Sequence, residues 1–175
     1  MDIERLVRVK RLHENAKLPT KANPTDAGYD LYSVEKVVIR PGETAKVHTG
    51  IAIEQGHDWQ TYPVAGLIWD RSSLGSKGIH RLAGVIDQGY RGEIVVCLIN
   101  LRIGEIIDEL ISESGRTGFP QDELHEVMGR STVTIQPGDK IAQIVFHHVN
   151  NLDVVEVPEL GDTDRGAKGF GSSGR

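Results

Sequence analysis

Apolar residues come in short bursts along this chain, separated by turn-forming residues. Arg5–Lys10, Leu31–Ser33, Glu35–Ile39, Thr44–Ile53, Gly66–Trp69, Glu93–Leu101, Ser131–Ile135, Lys140–Val149 and Leu152–Glu156 are each strand-sized. Several alternate apolar with polar positions, and many are rich in Val and Ile. Pro41-Gly42 and Pro137-Gly138 set turns just ahead of strands. Many short strands punctuated this way predict an all-β domain: a sandwich, barrel or jelly roll.

One block follows a different period. Ile106, Ile107, Leu110 and Ile111 fall at helical spacing, as do Leu124, Val127 and Met128, and Gly115, Gly118 and Pro120 divide the two patches. The pattern predicts a helical, hairpin-like insertion over about residues 103–130 within a single β domain spanning 1–160. Its apolar stripe either docks on the body or offers a surface to a protein partner. Residues 161–175 read as a flexible arm, because glycine and serine dominate the end of the chain.

Composition narrows the class. The 175 residues suit one domain with an insertion, and 20 glycines with 7 prolines suit a loop-rich β protein. With aromatics at 5%, the core must be mainly aliphatic. The sequence carries neither a membrane-length apolar run nor a secretory leader pattern at Met1-Asp2-Ile3-Glu4, so a reduced, cytoplasmic setting is expected. The lone Cys97, inside Ile94–Ile99, reads as a small buried hydrophobe. A net charge of -5 argues against nucleic acid as a general partner. An acidic chain still binds a small polyanion where its cations are local, and here they cluster: Arg71 with Lys77, and Arg165 with Lys168.

Five segments carry candidate chemistry. Asp26-Ala-Gly-Tyr-Asp-Leu-Tyr32 brings the acid Asp30 into a strand behind Gly28. Asp70-Arg-Ser-Ser-Leu-Gly-Ser-Lys-Gly78 mixes cations, hydroxyls and glycines at spacing suited to phosphate, without the Walker order. Gly84-Val-Ile-Asp-Gln-Gly-Tyr-Arg-Gly92 presents Asp87 and Tyr90 at a hairpin mouth, where Asp87 can orient or deprotonate a water. Gly138-Asp-Lys-Ile-Ala-Gln-Ile-Val145 sets Gln143 as a polar break in an apolar strand. Arg165-Gly-Ala-Lys-Gly-Phe-Gly-Ser-Ser-Gly-Arg175 holds cations, hydroxyls and a single aromatic among glycines, the parts of a lid over a nucleotide. Each segment alone also reads as an ordinary turn, cap or solvated terminus.

Taken in order, Ala27-Gly-Tyr-Asp-Leu31, Arg71-Ser-Ser-Leu74, Gly84-Val-Ile-Asp-x-Gly-Tyr-Arg-Gly92, Gly138-Asp-Lys-Ile-Ala-Gln143 and Gly169-Phe-Gly-Ser-Ser-Gly174 resemble the motifs of the trimeric dUTP pyrophosphatase (dUTPase) family. The likeness covers nearly the whole chain outside Ile103–Arg130. It implies a jelly-roll-like homotrimer whose three active sites each draw motifs from all three subunits. The implied reaction is hydrolysis of dUTP to dUMP and pyrophosphate, which keeps uracil out of DNA and supplies dUMP for thymidylate synthesis. Mg2+ would be held mainly by triphosphate oxygens and water, with Asp30 near its water shell.

By the same resemblance, Asp87 holds the water in line with the α-phosphorus and Tyr90 packs on the deoxyribose. The backbone of Gly84, Val85 and Ile86 reads the uracil edge. Arg71, Ser72, Ser73 and Gln143 match phosphate-binding positions, and Arg165, Phe170, Gly171, Ser172 and Ser173 form the closing arm. Three positions depart from the family pattern. Asp70 stands where many members carry proline, Arg81 where several place an asparagine that touches the base, and Lys168 where glycine is common.

Two other readings compete. The related dCTP deaminases share the fold, but their glutamate after the hairpin falls here at Cys97 and their second-motif arginine at Ser76, leaving cytosine chemistry without its acid/base. A regulatory, nucleotide-dependent module that binds protein through the insertion is the alternative of a different class.

Overall fold

The structure, a computed structural model, describes residues 6–56, 63–104, 107 and 121–167. Among these residues ten strands form: β1 (Val7–Arg11), β2 (Tyr29–Tyr32), β3 (Val37–Ile39), β4 (Thr44–Gln55), β5 (Val64–Trp69), β6 (Ile79–Leu82), β7 (Val85–Ile86), β8 (Glu93–Asn100), β9 (Val133–Ile135) and β10 (Lys140–His148). One sheet runs β1-β4-β8-β6, a second β2-β10-β5-β7, and β3 pairs with β9. All of these pairings are antiparallel. The two four-stranded sheets face each other across an aliphatic core, in the jelly-roll-like manner expected.

Strand alternation makes that core. On β8, Ile94, Val96 and Leu98 point inward and are almost fully buried, against Val47, Ile51 and Ile53 of β4 and Ile79 of β6. Leu31, Ile68, Ile141 and Ile144 come from the other sheet. Burying each such side chain contributes about 1.5–3 kcal/mol before entropy is counted. The same period of two corrects the expectation for Cys97. It pairs with Lys46 on the outer face of β8 and is only partly buried.

Two further differences have local causes. β6 and β7 are strands that apolar patterning misses, because Ile79-His-Arg-Leu82 is half polar and Val85-Ile86 is too short to show a period. Between them Ala83 (φ 61°) and Gly84 (φ 145°) carry the chain from the first sheet to the second. The strand expected over Leu152–Glu156 does not form. Leu152, Val154 and Val155 are 80%, 100% and 76% exposed, so the alternation finds no sheet edge among the described residues of its own chain.

A one-turn helix, α1, spans Ser72–Gly75, and part of the expected insertion is a helix, α2, over Gln121–Ser131. The other apolar patch, Ile106 to Ile111, lies almost wholly outside the described residues. Val127 of α2 is buried, with Met128 packed against it. The end of α2 is held by Asn100, which is fully buried at the end of β8. Its Nδ2 donates to the Ser131 carbonyl (2.8 Å) and the Ile39 carbonyl (3.0 Å), while its Oδ1 accepts from the Arg102 amide (3.1 Å).

Replacing Asn100 with Leu keeps the branched shape, removes the donor to the Ser131 and Ile39 carbonyls and adds apolar bulk at a fully buried site. We expect a loss of about 2–4 kcal/mol, read as a lower urea midpoint, with amide exchange rising first over Gln121–Ser131.

Candidate active site

Three of the sequence segments meet around Asp30. Arg71 Nε donates to Asp30 Oδ1 (2.9 Å) and Lys140 Nζ to Oδ2 (2.6 Å), on a carboxylate only 13% exposed. Pairing of β2 with β10 puts Asp30 opposite Gln143, and pairing of β10 with β5 puts Gln143 opposite Trp69. Gln143 Nε2 then donates to the Asp70 carbonyl (2.9 Å). Gly28 packs closely on Gln143: a Cβ there would lie 2.6 Å from Gln143 Oε1 and would force that side chain to move. Arg71 Nη1 also reaches Ser73 Oγ (3.2 Å) and the Lys140 carbonyl (3.4 Å). Arg71 thus stands at the N-terminal boundary of α1 without a side-chain capping bond, and its guanidinium is fixed from two sides, beside Ser72 and Ser73. The hydrogen bond to Asp30 holds the Lys140 ammonium above its usual value. The cluster is cationic, donor-rich and pre-positioned.

The loop from β7 to β8 forms a second group; the hairpin expected there does not form, because β7 pairs with β5 in one sheet while β8 pairs with β4 and β6 in the other. A cavity of about 180 Å³ is lined by Val85, Ile86, Asp87, Tyr90, Glu93 and Val95. Asp87 is exposed, and no hydrogen bond to its carboxylate comes from the described residues. Tyr90 is held in place: its amide donates to the Asp87 carbonyl (3.0 Å) and its hydroxyl to the Glu93 carbonyl (3.0 Å). Its phenol lies over Gly92, where any side chain would collide with it.

The base of this loop is stitched by residues that carry no signal in the sequence. Gln55, 1% exposed, donates from Nε2 to the Ile86 carbonyl (3.1 Å). Gln88 Nε2 returns a bond to the Gln55 carbonyl (2.9 Å), and Gln88 Oε1 accepts from the Val64 amide (3.1 Å). Both glutamines have partners distant in sequence, which no local pattern shows. Lys140 is a further site residue beyond those expected, although its charge lies within the Gly138–Gln143 segment.

Within one chain the two groups stand apart. Gly66 pairs with Ile86, so Asp87 lies level with Ala65, six residues before Arg71 along β5. At about 3.3 Å per residue that is roughly 20 Å. Arg165 is exposed in the segment leading to the C terminus; Phe170, Gly171, Ser172 and Ser173 lie outside the described residues.

A dUTPase family model matches residues 14–107 and 126–174. The chain belongs to the dUTPase family. The match skips 108–125, inside the segment whose apolar period departs from the β pattern. Deoxyuridine 5'-triphosphate nucleotidohydrolase of Nocardia farcinica is 39% identical over 171 residues, covering 95% of this chain and 84% of that protein. The cowpox virus protein of the same name is 36% identical, covering 99% and 97%. A mutant dUTPase of Staphylococcus bacteriophage 80alpha, solved with dUpNHpp, superposes with a TM-score of 0.76 at 28% identity, covering 97% of this chain and 99% of that one. A mutant dUTPase of phage phi11 of S. aureus, whose structure details coordination of a structural Mg(II) ion, gives 0.68 at 27% identity, covering 90% and 99%.

Beside the cavity at the β7–β8 loop, Glu93 organises a bulge in β4. Its Oε1 accepts from the Gly50 amide (2.8 Å) and its Oε2 meets His48 Nδ1 (2.9 Å), where the β4–β8 register shifts. The bond to Glu93 raises the His48 pKa. Burial pushes Glu93 up, but the His48 and Gly50 bonds outweigh it and leave its pKa lowered. The His48 contribution is therefore full below about 6.5 and lost as pH rises through the raised folded value; the Glu93 contribution is present above about 4.5 and lost as pH falls. His48→Gln should lower the melting temperature by about 1–3 °C near pH 6, after allowing for solvent screening, and by less at pH 8.5. Scanning calorimetry at the two pH values checks this.

Proposed function

We propose that this chain hydrolyses dUTP to dUMP and pyrophosphate, with water attacking the α-phosphorus in line. The observation that carries the reading is the cavity at the β7–β8 loop: a carboxylate with no donor among the described residues, a fixed tyrosine ring and strand backbone converge on a space of about 180 Å³. The backbone of Gly84, Val85 and Ile86 would read the uracil edge with the groups that its bonds to Ile68, Gln55 and β5 leave over. Tyr90, tied through its hydroxyl, would pack on the deoxyribose and leave no room for a 2′-hydroxyl. Asp87, without a competing donor among the described residues, is available to hold a water and accept its proton. Arg71, Ser72, Ser73 and Gln143 would bind the phosphates. Arg165, Phe170, Gly171, Ser172 and Ser173 would close over the nucleotide, with Phe170 on the base. Positioning and charge stabilisation then supply most of the acceleration.

Mg2+ suits this donor set as a companion of the substrate. Among the described residues no three His, Cys, Asp or Glu side chains gather to hold a metal. Both Asp30 oxygens are engaged by cations, which favours contact with a metal's water shell over direct ligation. When bound through the triphosphate, the ion would neutralise phosphate charge.

A homotrimer with shared sites accounts for the separation of the two groups. A triphosphate, with phosphorus atoms only a few ångströms apart, cannot reach Asp87 and Arg71 of one chain across roughly 20 Å. The exposed Leu152, Val154, Val155 and Leu160 also lead towards the closing arm without cover from the described residues of their own chain. The insertion as a docking surface for a protein stays a secondary proposal. Among the described residues no helix is long and apolar enough to cross a membrane.

The test is pyrophosphate release with Mg2+ from dUTP, dTTP, dCTP and UTP. Wild type should turn over dUTP alone, and Asp87→Asn should lower kcat about 10²–10⁴-fold with little change in KM. Turnover of dCTP, or an active Asp87→Asn enzyme, refutes the assignment. Light scattering should give three times the chain mass of 19.2 kDa.

A further inference from the structure

Asp70 and Arg81 lie between the Arg71 cluster and the β7–β8 loop proposed to read the base, and neither is assigned to the reacting atoms in the proposed reaction. Asp70 follows β5 and directly precedes Arg71. Its Oδ1 accepts from the Arg81 backbone amide (2.7 Å) and its Oδ2 meets His80 Nδ1 (2.6 Å), so this carboxylate joins the end of β5, in one sheet, to β6, in the other. The main chain at the same residue is tied to β10 through Gln143. Residue 70 is thus anchored at both its side chain and its carbonyl.

Arg81 extends the connection to the turn. Its guanidinium lies over the Trp69 ring, 5.2 Å from the centroid, and its Nη1 donates to the Ala83 carbonyl (2.7 Å). The same Nη1 backs Gly84, where a Cβ would lie 3.3 Å from it. Arg81 Nε is buried without a partner among the described residues, so the stack and the Ala83 carbonyl set its position. Ala83 needs this support, since a φ of 61° is unfavourable for any residue with a Cβ. On the other side, the Gly84 carbonyl accepts from the Ile68 amide (2.7 Å). The turn is pinned between β5 and one arginine.

We propose that Arg81 is a positioning residue for base selectivity. It braces the Ala83–Gly84 turn from behind, and Asp70 holds Arg81 against the strand that carries the phosphate-binding residues. This rests on the reading of the β7–β8 loop as the uracil site. A turn free to shift by a fraction of an ångström would admit the extra methyl of thymine, since one methyl is rejected only by a rigid wall. The selectivity of the loop thereby depends on two side chains that need not touch the base.

The measurement is kcat/KM for dUTP and dTTP with wild type, R81A, D70A and D70N. In R81A the dUTP-to-dTTP ratio should fall about tenfold. D70A should move it the same way by about threefold, and D70N should restore it, because the amide oxygen still accepts from the Arg81 amide. Equal losses on both nucleotides, or unchanged ratios, overturn the proposal, because a merely structural defect lowers both alike. Should R81A fail to fold, R81K decides: it keeps a donor for the Ala83 carbonyl but loses flat stacking on Trp69, and the ratio should fall about threefold. If wild type hydrolyses no dUTP, the functional reading fails, while the brace is still read by amide exchange at Ile68. R81A or R81K should speed that exchange several-fold, and an unchanged rate overturns the brace.

Discussion

Strand β5 is the member on which the rest of the site depends, because it is hydrogen-bonded on both sides. β10 pairs along one edge from Trp69 to Val64, and β7 pairs along the other at Gly66 and Leu67. A strand paired on both edges cannot slip without breaking two ladders, and a slip of one residue would turn its core side chains to solvent. Its C-terminal end launches Arg71, and its middle sets the height of Ile86 and hence of Asp87. The spacing between the two chemical groups is therefore written into backbone pairing, a stiffer ruler than side-chain contact.

Charge within this frame is used twice. Asp30 takes Arg71 and Lys140 together, so in the absence of substrate two cations share one carboxylate in a partly buried setting. Such a triad leaves a net positive charge beside the hydroxyls of Ser72 and Ser73, and it orients the guanidinium before any ligand arrives. An acidic chain of net charge -5 can in this way present a cationic face to a polyanion. Asp70 is a neighbouring acid with different duties. Its carboxylate is satisfied by the Arg81 amide and His80, which turns it away from Arg71.

Much of the fold and the site is legible in sequence because period and turn chemistry are local signals. The long strands β4, β8 and β10 announce themselves by Val and Ile alternation, and motif order carries the family. What escapes depends on distant partners or on short elements. β6 and β7 are too brief and polar to show a period, yet they carry the chain from one sheet to the other. Gln55 and Gln88 hold the β7–β8 loop from across the fold. Cys97 reads as buried in sequence because a run of apolar residues hides which parity points inward, and only the pairing with Lys46 decides it. Leu152–Glu156 has the pattern of a strand but no edge to join among the described residues of its chain.

That unformed strand and the separated chemical groups bear on the same point. A segment with Leu152, Val154 and Val155 almost wholly in water keeps apolar area that the described residues of its own chain do not bury. A site whose acid and cations stand roughly 20 Å apart cannot act on one triphosphate from one chain. Together they ask for the same remedy, because a neighbouring copy would supply both the missing cover for the tail and the missing half of each site. Under the proposed assembly the fold has reason to hold its two groups rigidly apart, since distances within the chain would set the geometry of sites between chains.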